Sequence, residues 1–284
     1  MNREDLLAKH GIPRQVLDYG HISLIDFMGD DKAVVDMARK SYGKGTKATS
    51  DDQTLLRYLL RHWHTGPFEG CSIKLHVKCP IFVARQLFRH RTGKYDETSL
   101  RYSEAEDEFF LPEAFSCQSK DNKQGSGDFL PEEQSERLKA AFTGGYSDPY
   151  RVYKEALDAG VAREEARVIL PLATYTEYYF VMDLHNLLHM LRLRLDAHAQ
   201  KETRAFAQAV ADIVADWVPW TWQAFCDYRL NALTLTASEV EALRCVLASC
   251  GVRPEELLNQ FAGKCKNKRE AKEFADKLAL MGIR

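Results

Sequence analysis

Paired cysteines are missing from this sequence. The chain has seven cysteines at irregular spacing (Cys71, Cys79, Cys117, Cys226, Cys245, Cys250 and Cys265), and no two form a CxxC pair. An odd, unpaired set excludes a disulfide framework, so a reducing cytoplasm is the expected setting. No apolar run approaches the roughly 20 residues that span a bilayer. Met1 to Gly20 lacks the apolar stretch of a signal peptide. Charge of one sign is lacking too: 39 basic and 41 acidic side chains leave a net charge of −2. No global basic field therefore exists to hold a nucleic-acid backbone. Internal repeats, low-complexity segments and a GxGxxG fingerprint are also absent, and without that fingerprint a Rossmann dinucleotide unit is excluded. What remains is the balance of an ordinary globular protein, 45% apolar and 28% charged. That suffices to bury a core without disulfides or structural metals.

Periodicity gives the organisation. His21 to Met28 reads as a strand. Asp31 to Ser41 reads as a short helix with Val34, Val35, Met37 and Ala38 toward the core. Asp51 to His62 is a Leu-rich second helix entered through polar residues. Cys71 to Cys79 alternates apolar and polar residues as a half-buried strand does. Pro80 ends that strand and opens a helix predicted over Ile81 to Arg91. Residues 92 to 135 are mostly non-periodic, and the polar stretch Cys117 to Asp128 reads as a functional flap. Asp148-Pro149 predicts a helix start, Asp as N-cap and Pro as first helical residue, with that helix running to about Asp158. Leu172 to Met182, dense in Thr, Tyr and Phe, reads as extended, with a helix as the alternative. Asp183 to Arg194 and Asp196 to Trp217 carry the Leu and Ala spacing of long helices. Ser238 with Glu241 predicts a capping box, and a Lys-rich helical tail follows. Two regions result, a body over 1–228 and a helical C-terminal extension over 229–284.

One constellation carries chemistry. Arg85, Arg89, His90 and Arg91 crowd one end of the Ile81 helix, and Glu97, Ser99 and Arg101 follow ten residues on. Guanidinium forks suit phosphate and carboxylate oxygens. The bland alternative is a solvated helix end, where cations meet the negative dipole terminus. His185 and His189, one helical turn apart, have the spacing of a zinc pair. Asn186 stands where the zinc-protease pattern needs Glu, so half-buried helix histidines are the simpler reading.

Arg89-His90-Arg91, followed after seven residues by Ser99, resembles the signature of the flavin-dependent thymidylate synthases. Further blocks resemble the same family in order: His64 to Glu69, Ala166 to Pro171 with Tyr175-Thr176, Asp183 to His189 with Leu193-Arg194 and His198 to Gln200, then Trp217 to Pro219 with Ala224-Phe225. The resemblance implies an α+β fold, with a mixed central sheet and long helices, assembled as a homotetramer with shared active sites. It implies reductive methylation of C5 of a uracil nucleotide, dUMP or UMP, with no covalent enzyme nucleophile. Methylenetetrahydrofolate would give the carbon, and NADPH the electrons by way of FAD. By the same resemblance Gln86, Glu97, Ser99, Leu100, Arg101, Arg167 and Arg194 bind the nucleotide. Ser41, His64, Glu69, Arg89, His90, Arg91, Thr92, Asp183, His185, His189 and His198 surround the flavin. Arg194, Ser99 and His90 carry catalysis, Arg194 by stabilising charge on a pyrimidine carbonyl. His198 shares the Arg194 helix face if that helix is unbroken. No metal and no nucleic-acid polymer are expected.

The sequence departs from the family pattern at Lys94, Asp96 and Leu100. Such changes fit drift within a dUMP methylase. They also fit a site that admits a ribose 2′-hydroxyl through Asp96, as in UMP methylases of nucleoside-antibiotic pathways. A catalytically silent nucleotide sensor and RNA binding through the basic tail are the rival classes.

Overall fold

Strict alternation from Ile73 to Cys79 makes one face of the central strand apolar, and the sheet is built around that face. The computed structural model describes residues 1–40, 51–120, 122–251, 253–265 and 267–281. Seven strands are described: β1 (Arg14–Val16), β2 (Gly20–Met28), β3 (Ser72–Pro80), β4 (Lys94–Glu97), β5 (Ser116–Gln118), β6 (Ser126–Phe129) and β7 (Tyr175–Asp183). Five of them form one sheet in the order β1-β2-β3-β7-β4, and β5 pairs with β6 alone. Every pairing is antiparallel, which corrects the expected mixed sheet. The helix after β3 leads to the far edge rather than through a crossover that would return a parallel neighbour. Ile22, Leu24, Ile73, Leu75, Val77, Phe180 and Met182 fill the inner face.

The described residues also form thirteen α-helices. In chain order they are α1 (Arg3–His10), α2 (Asp31–Lys40), α3 (Asp52–Arg61), α4 (Gly66–Glu69), α5 (Ile81–Leu87), α6 (Glu132–Asp158) and α7 (Arg163–Ala166). Then follow α8 (Leu184–Arg194), α9 (Lys201–Trp217), α10 (Pro219–Phe225), α11 (Ala237–Ser249), α12 (Pro254–Lys264) and α13 (Lys268–Leu280). Val34 and Val35 of α2 are buried, but Met37 is exposed. Its thioether lies over Gly70, where a Cβ would collide with it. The Asp31 carboxylate accepts from the Trp220 and Thr221 amides at 2.8 and 2.9 Å and from the Thr221 hydroxyl at 2.6 Å. It thereby caps α10 from a distant element. Two compact units result, Met1–Asn231 and Ala232–Arg284.

Four local expectations are corrected. α5 stops at Leu87 rather than Arg91, because the chain turns there and the Tyr95 hydroxyl shares its one proton between the Leu87 and His90 carbonyls. Asp148-Pro149 lies inside α6, where the carbonyl that Pro149 leaves unpaired sits on an exposed surface and Asp148 pairs with Arg151. Cys117 to Asp128 is mostly hairpin rather than loop, closed by the Gln118 side-chain amide sharing its two protons among the Asn122, Lys123 and Gly125 carbonyls. The capping box at α11 pairs Thr236 with Glu239, whereas Glu241 bonds Arg244.

Candidate active site

α8 is capped by Asp183, whose oxygens accept from the Asn186 amide at 2.9 Å and its side chain at 2.7 Å. From that start, helical spacing puts His185, His189 and Arg192 on one side, and the helix ends at Arg194. The Arg194 Nε donates to His90 Nε2 at 2.9 Å, and its Nη2 donates to the Gln86 carbonyl at 3.1 Å. His90 is buried, and its ring meets His189 edge-on at 6.5 Å. Burial, then Arg194 and His189, lower the His90 pKa to about 4. The ring is therefore neutral at neutral pH. Because Arg194 only donates, the His90 proton sits on Nδ1. Gln86 bonds the Gln200 side chain.

A cleft of about 470 Å³ opens beside this pair, lined by His64, Thr65, His185 and His189 over a floor of Leu59, Leu60, Phe68, Leu188 and Phe225. Sequence reading missed its other members, Trp63, Arg192 and Arg229. α3 ends in a Schellman closure, with the His64 amide donating to the Leu59 carbonyl at 2.9 Å and the Trp63 amide to the Leu60 carbonyl at 3.4 Å. That geometry puts Trp63 at φ 63°, a place for glycine that costs another residue about 1–2 kcal/mol. A tryptophan at the expected glycine position after α3 was the signal available in the sequence. Arg229 comes from a π-helical turn, Cys226–Leu230. Its guanidinium lies 3.2 Å from the Trp63 ring centroid and bonds the Leu60 carbonyl.

A second cavity of about 1,280 Å³ gathers Glu97, Leu100 and Arg167 with Arg85, Lys78 and Ser103. Glu97 accepts from the Thr176 hydroxyl at 2.7 Å. Burial pulls the Lys78 pKa down, but its bonds to Glu108 and Glu106 outweigh this and lift it to about 12. Asp96 alternates to the other side of β4 from Glu97 and, like Lys94, is not among the residues lining this cavity. The geometry therefore gives Asp96 no place beside Glu97. Ser99 and Arg101 lie outside the lining as well. Arg101 is half exposed and pairs with Glu164 at 2.8 Å, and Ser99 Oγ accepts from the Arg101 amide at 3.3 Å. Within one chain the expected nucleotide residues thus fall into groups. Gln86 and Arg194 stand with His90, while Glu97, Leu100 and Arg167 stand in the wide cavity.

Arg89, Arg91 and Thr92 are exposed on the turn after α5, and Glu69 is exposed at the end of α4. Among the described residues neither Arg89 nor Arg91 has a side-chain partner. The helix after Arg194 is broken. Residues 195–200 form a turn in which Asp196 accepts from the His198 amide and ring at 2.8 Å each. His198 therefore leaves the Arg194 face and lines a groove beside the β5–β6 hairpin. Ser41 lies outside the described residues.

The family model described as thymidylate synthase complementing protein matches residues 23–220. A flavin-dependent thymidylate synthase of Ruegeria pomeroyi is 47% identical over 267 residues, covering 92% of this chain and 86% of the relative. One from Thermus thermophilus is 50% identical over 233 residues, covering 82% and 85%. Among solved structures, the UMP/dUMP methylase PolB from Streptomyces cacaoi bound with 5-Br dUMP aligns with a TM-score of 0.68 at 30% identity, over 76% of this chain and 99% of that one. The same enzyme bound with 5-Br UMP gives 0.69 at 31%, over 77% and 99%. With that kinship along nearly its whole length, the chain belongs to the flavin-dependent thymidylate synthase family.

Proposed function

We propose that this enzyme reductively methylates C5 of dUMP, taking its carbon from methylenetetrahydrofolate and its electrons from NADPH. The single observation that carries the reading is the Arg194 lock. His90 and the Gln86 carbonyl hold two of the three guanidinium nitrogens, so the third is fixed in direction. Aimed at a pyrimidine carbonyl, it stabilises negative charge developing there. His90 orients Arg194 as an acceptor and, being neutral, adds no charge of its own. Among the described residues Ser99 makes no hydrogen bond to this pair.

FAD, when bound, supplies the redox chemistry that links NADPH to the nucleotide. The donor set fits it: unpartnered Arg89 and Arg91 suit the phosphates, and the histidine-lined cleft suits a ring. Among the thiols, Cys71 and Cys79 are buried and make poor nucleophiles. Burial raises Cys71 to about 11 and Cys79 to about 12, far from thiolate reactivity. A shared-site homotetramer is supported by the division of the nucleotide residues within one chain. Beside Arg167, Val168, Ile169 and Leu172 stand exposed, a surface that a second copy would cover.

UMP is the second reading, supported by the similarity to the UMP/dUMP methylase PolB. Purified enzyme given NADPH and methylenetetrahydrofolate should release tritium from 5-tritiated dUMP faster than from 5-tritiated UMP. The reverse order would transfer the assignment to UMP. Binding of nucleotide without flavin or turnover would make the chain a sensor.

A further inference from the structure

We infer that Trp63 and Arg229 form a stacking platform for one ring of the bound flavin nucleotide, resting on the flavin reading above. The first ground is a broken local rule. The Schellman closure of α3 asks for glycine at the left-handed position, yet Trp63 stands there at φ 63°. A bulky residue in that conformation points to function when packing does not explain it. Packing within the chain does not, since Trp63 is 61% exposed there.

The second ground is how the ring is held. The Arg229 guanidinium lies 3.2 Å from the ring centroid and is anchored by the Leu60 carbonyl. It is carried by a π-helical turn, a form concentrated at functional sites. The third ground is charge. His64, His185, His189, Arg192 and Arg229 line the cleft, and among the described residues no carboxylate does. Arg192 and Arg229 are close enough for Arg192 to add to the burial that lowers the Arg229 pKa. An apolar floor, an aromatic edge and two uncompensated guanidiniums select a flat, electron-rich, anionic ligand. Isoalloxazine and adenine are both flat and electron-rich, and each is joined to the anionic phosphates of the nucleotide.

The test uses the full-length chain stripped of flavin, with FAD, FMN and ADP titrated separately by fluorescence or calorimetry. Trp63→Gly should raise the FAD Kd at least tenfold while the flavin-free Tm stays at or above wild type, because glycine suits the closure. Trp63→Phe should stay within threefold of wild type, and Arg229→Met should match Trp63→Gly. A loss confined to FMN assigns isoalloxazine, and one confined to ADP assigns adenine. FAD affinity within threefold of wild type in Trp63→Gly overturns the platform. So does a fall of more than a few degrees in its flavin-free Tm, which would make the ring structural. Wild-type chain that takes up none of the three ligands overturns the flavin reading and the platform together.

Discussion

Arg194 donates to His90 through one nitrogen and to the Gln86 carbonyl through another. A lysine keeps the charge but has no planar fork to reproduce both bonds. Arg194→Lys should therefore lower turnover by about 10²–10³ while leaving the fold intact. Tritium release measured beside the Tm checks both halves of that statement. His90 makes a second residue-scale prediction. Unfolded, it takes its proton near 6.5, whereas burial, with Arg194 and His189 beside it, delays that to about 4 in the folded chain. Between those values the unfolded state binds more protons, so stability rises with pH across the window and is lost as pH falls through it. Thermal melts from pH 7 to 4 should show this fall, and His90→Asn should flatten it. An identical slope in that variant would place the proton uptake elsewhere. The contact behind both predictions spans residues 90 and 194, and no periodicity joins positions so far apart. The sequence shows each residue's chemistry without showing that they touch.

At the scale of elements, the clearest device is a cap supplied from outside its own helix. Asp31 satisfies two amides at the start of α10 and the Thr221 hydroxyl, while burial raises its pKa. Asp31→Ala leaves those donors unpaired and should cost about 2 kcal/mol, read as a lower urea midpoint at unchanged slope. Elements with a strong local pattern are legible in the sequence. β3 follows from its alternation, α3 from its leucines and the Asp51 cap, and α8 from Asp183. Element ends are less legible where a tertiary contact decides them. α5 ends early because Tyr95, downstream on β4, takes up the Leu87 carbonyl and that of His90 in the turn beyond it. Asp148-Pro149 reads as a start signal, yet an exposed helix tolerates the missing donor and runs on. Trp63 shows the opposite case, in which a local rule is broken and the breach itself marks the site.

For the whole molecule, the boundary between units bears on function. The first unit runs to Asn231, so the π-helical turn carrying Arg229 belongs to it. Sequence reading places the boundary at residue 228, which would leave Arg229 in the extension. A chain ended at Tyr228 should bind FAD at least tenfold more weakly than one ended at Asn231, and the latter should match the full chain. Equal affinity in the two truncations would remove Arg229 from flavin binding. The long-range pairing of the sheet is the least legible feature, because β3 and β7 each look like a strand without naming a partner.

That pairing governs how the protein is born. Ser72 opposes Asp183 and Pro80 opposes Tyr175, so the sheet's central pair closes a loop on the order of a hundred residues. As the chain leaves the ribosome, β2 and β3 can join at once, but the edge of β3 stays bare until Asp183 has emerged. Through that interval the nascent chain carries one strand edge without a partner. Conditions that slow translation of residues 81–183 lengthen the time it spends open to aggregation.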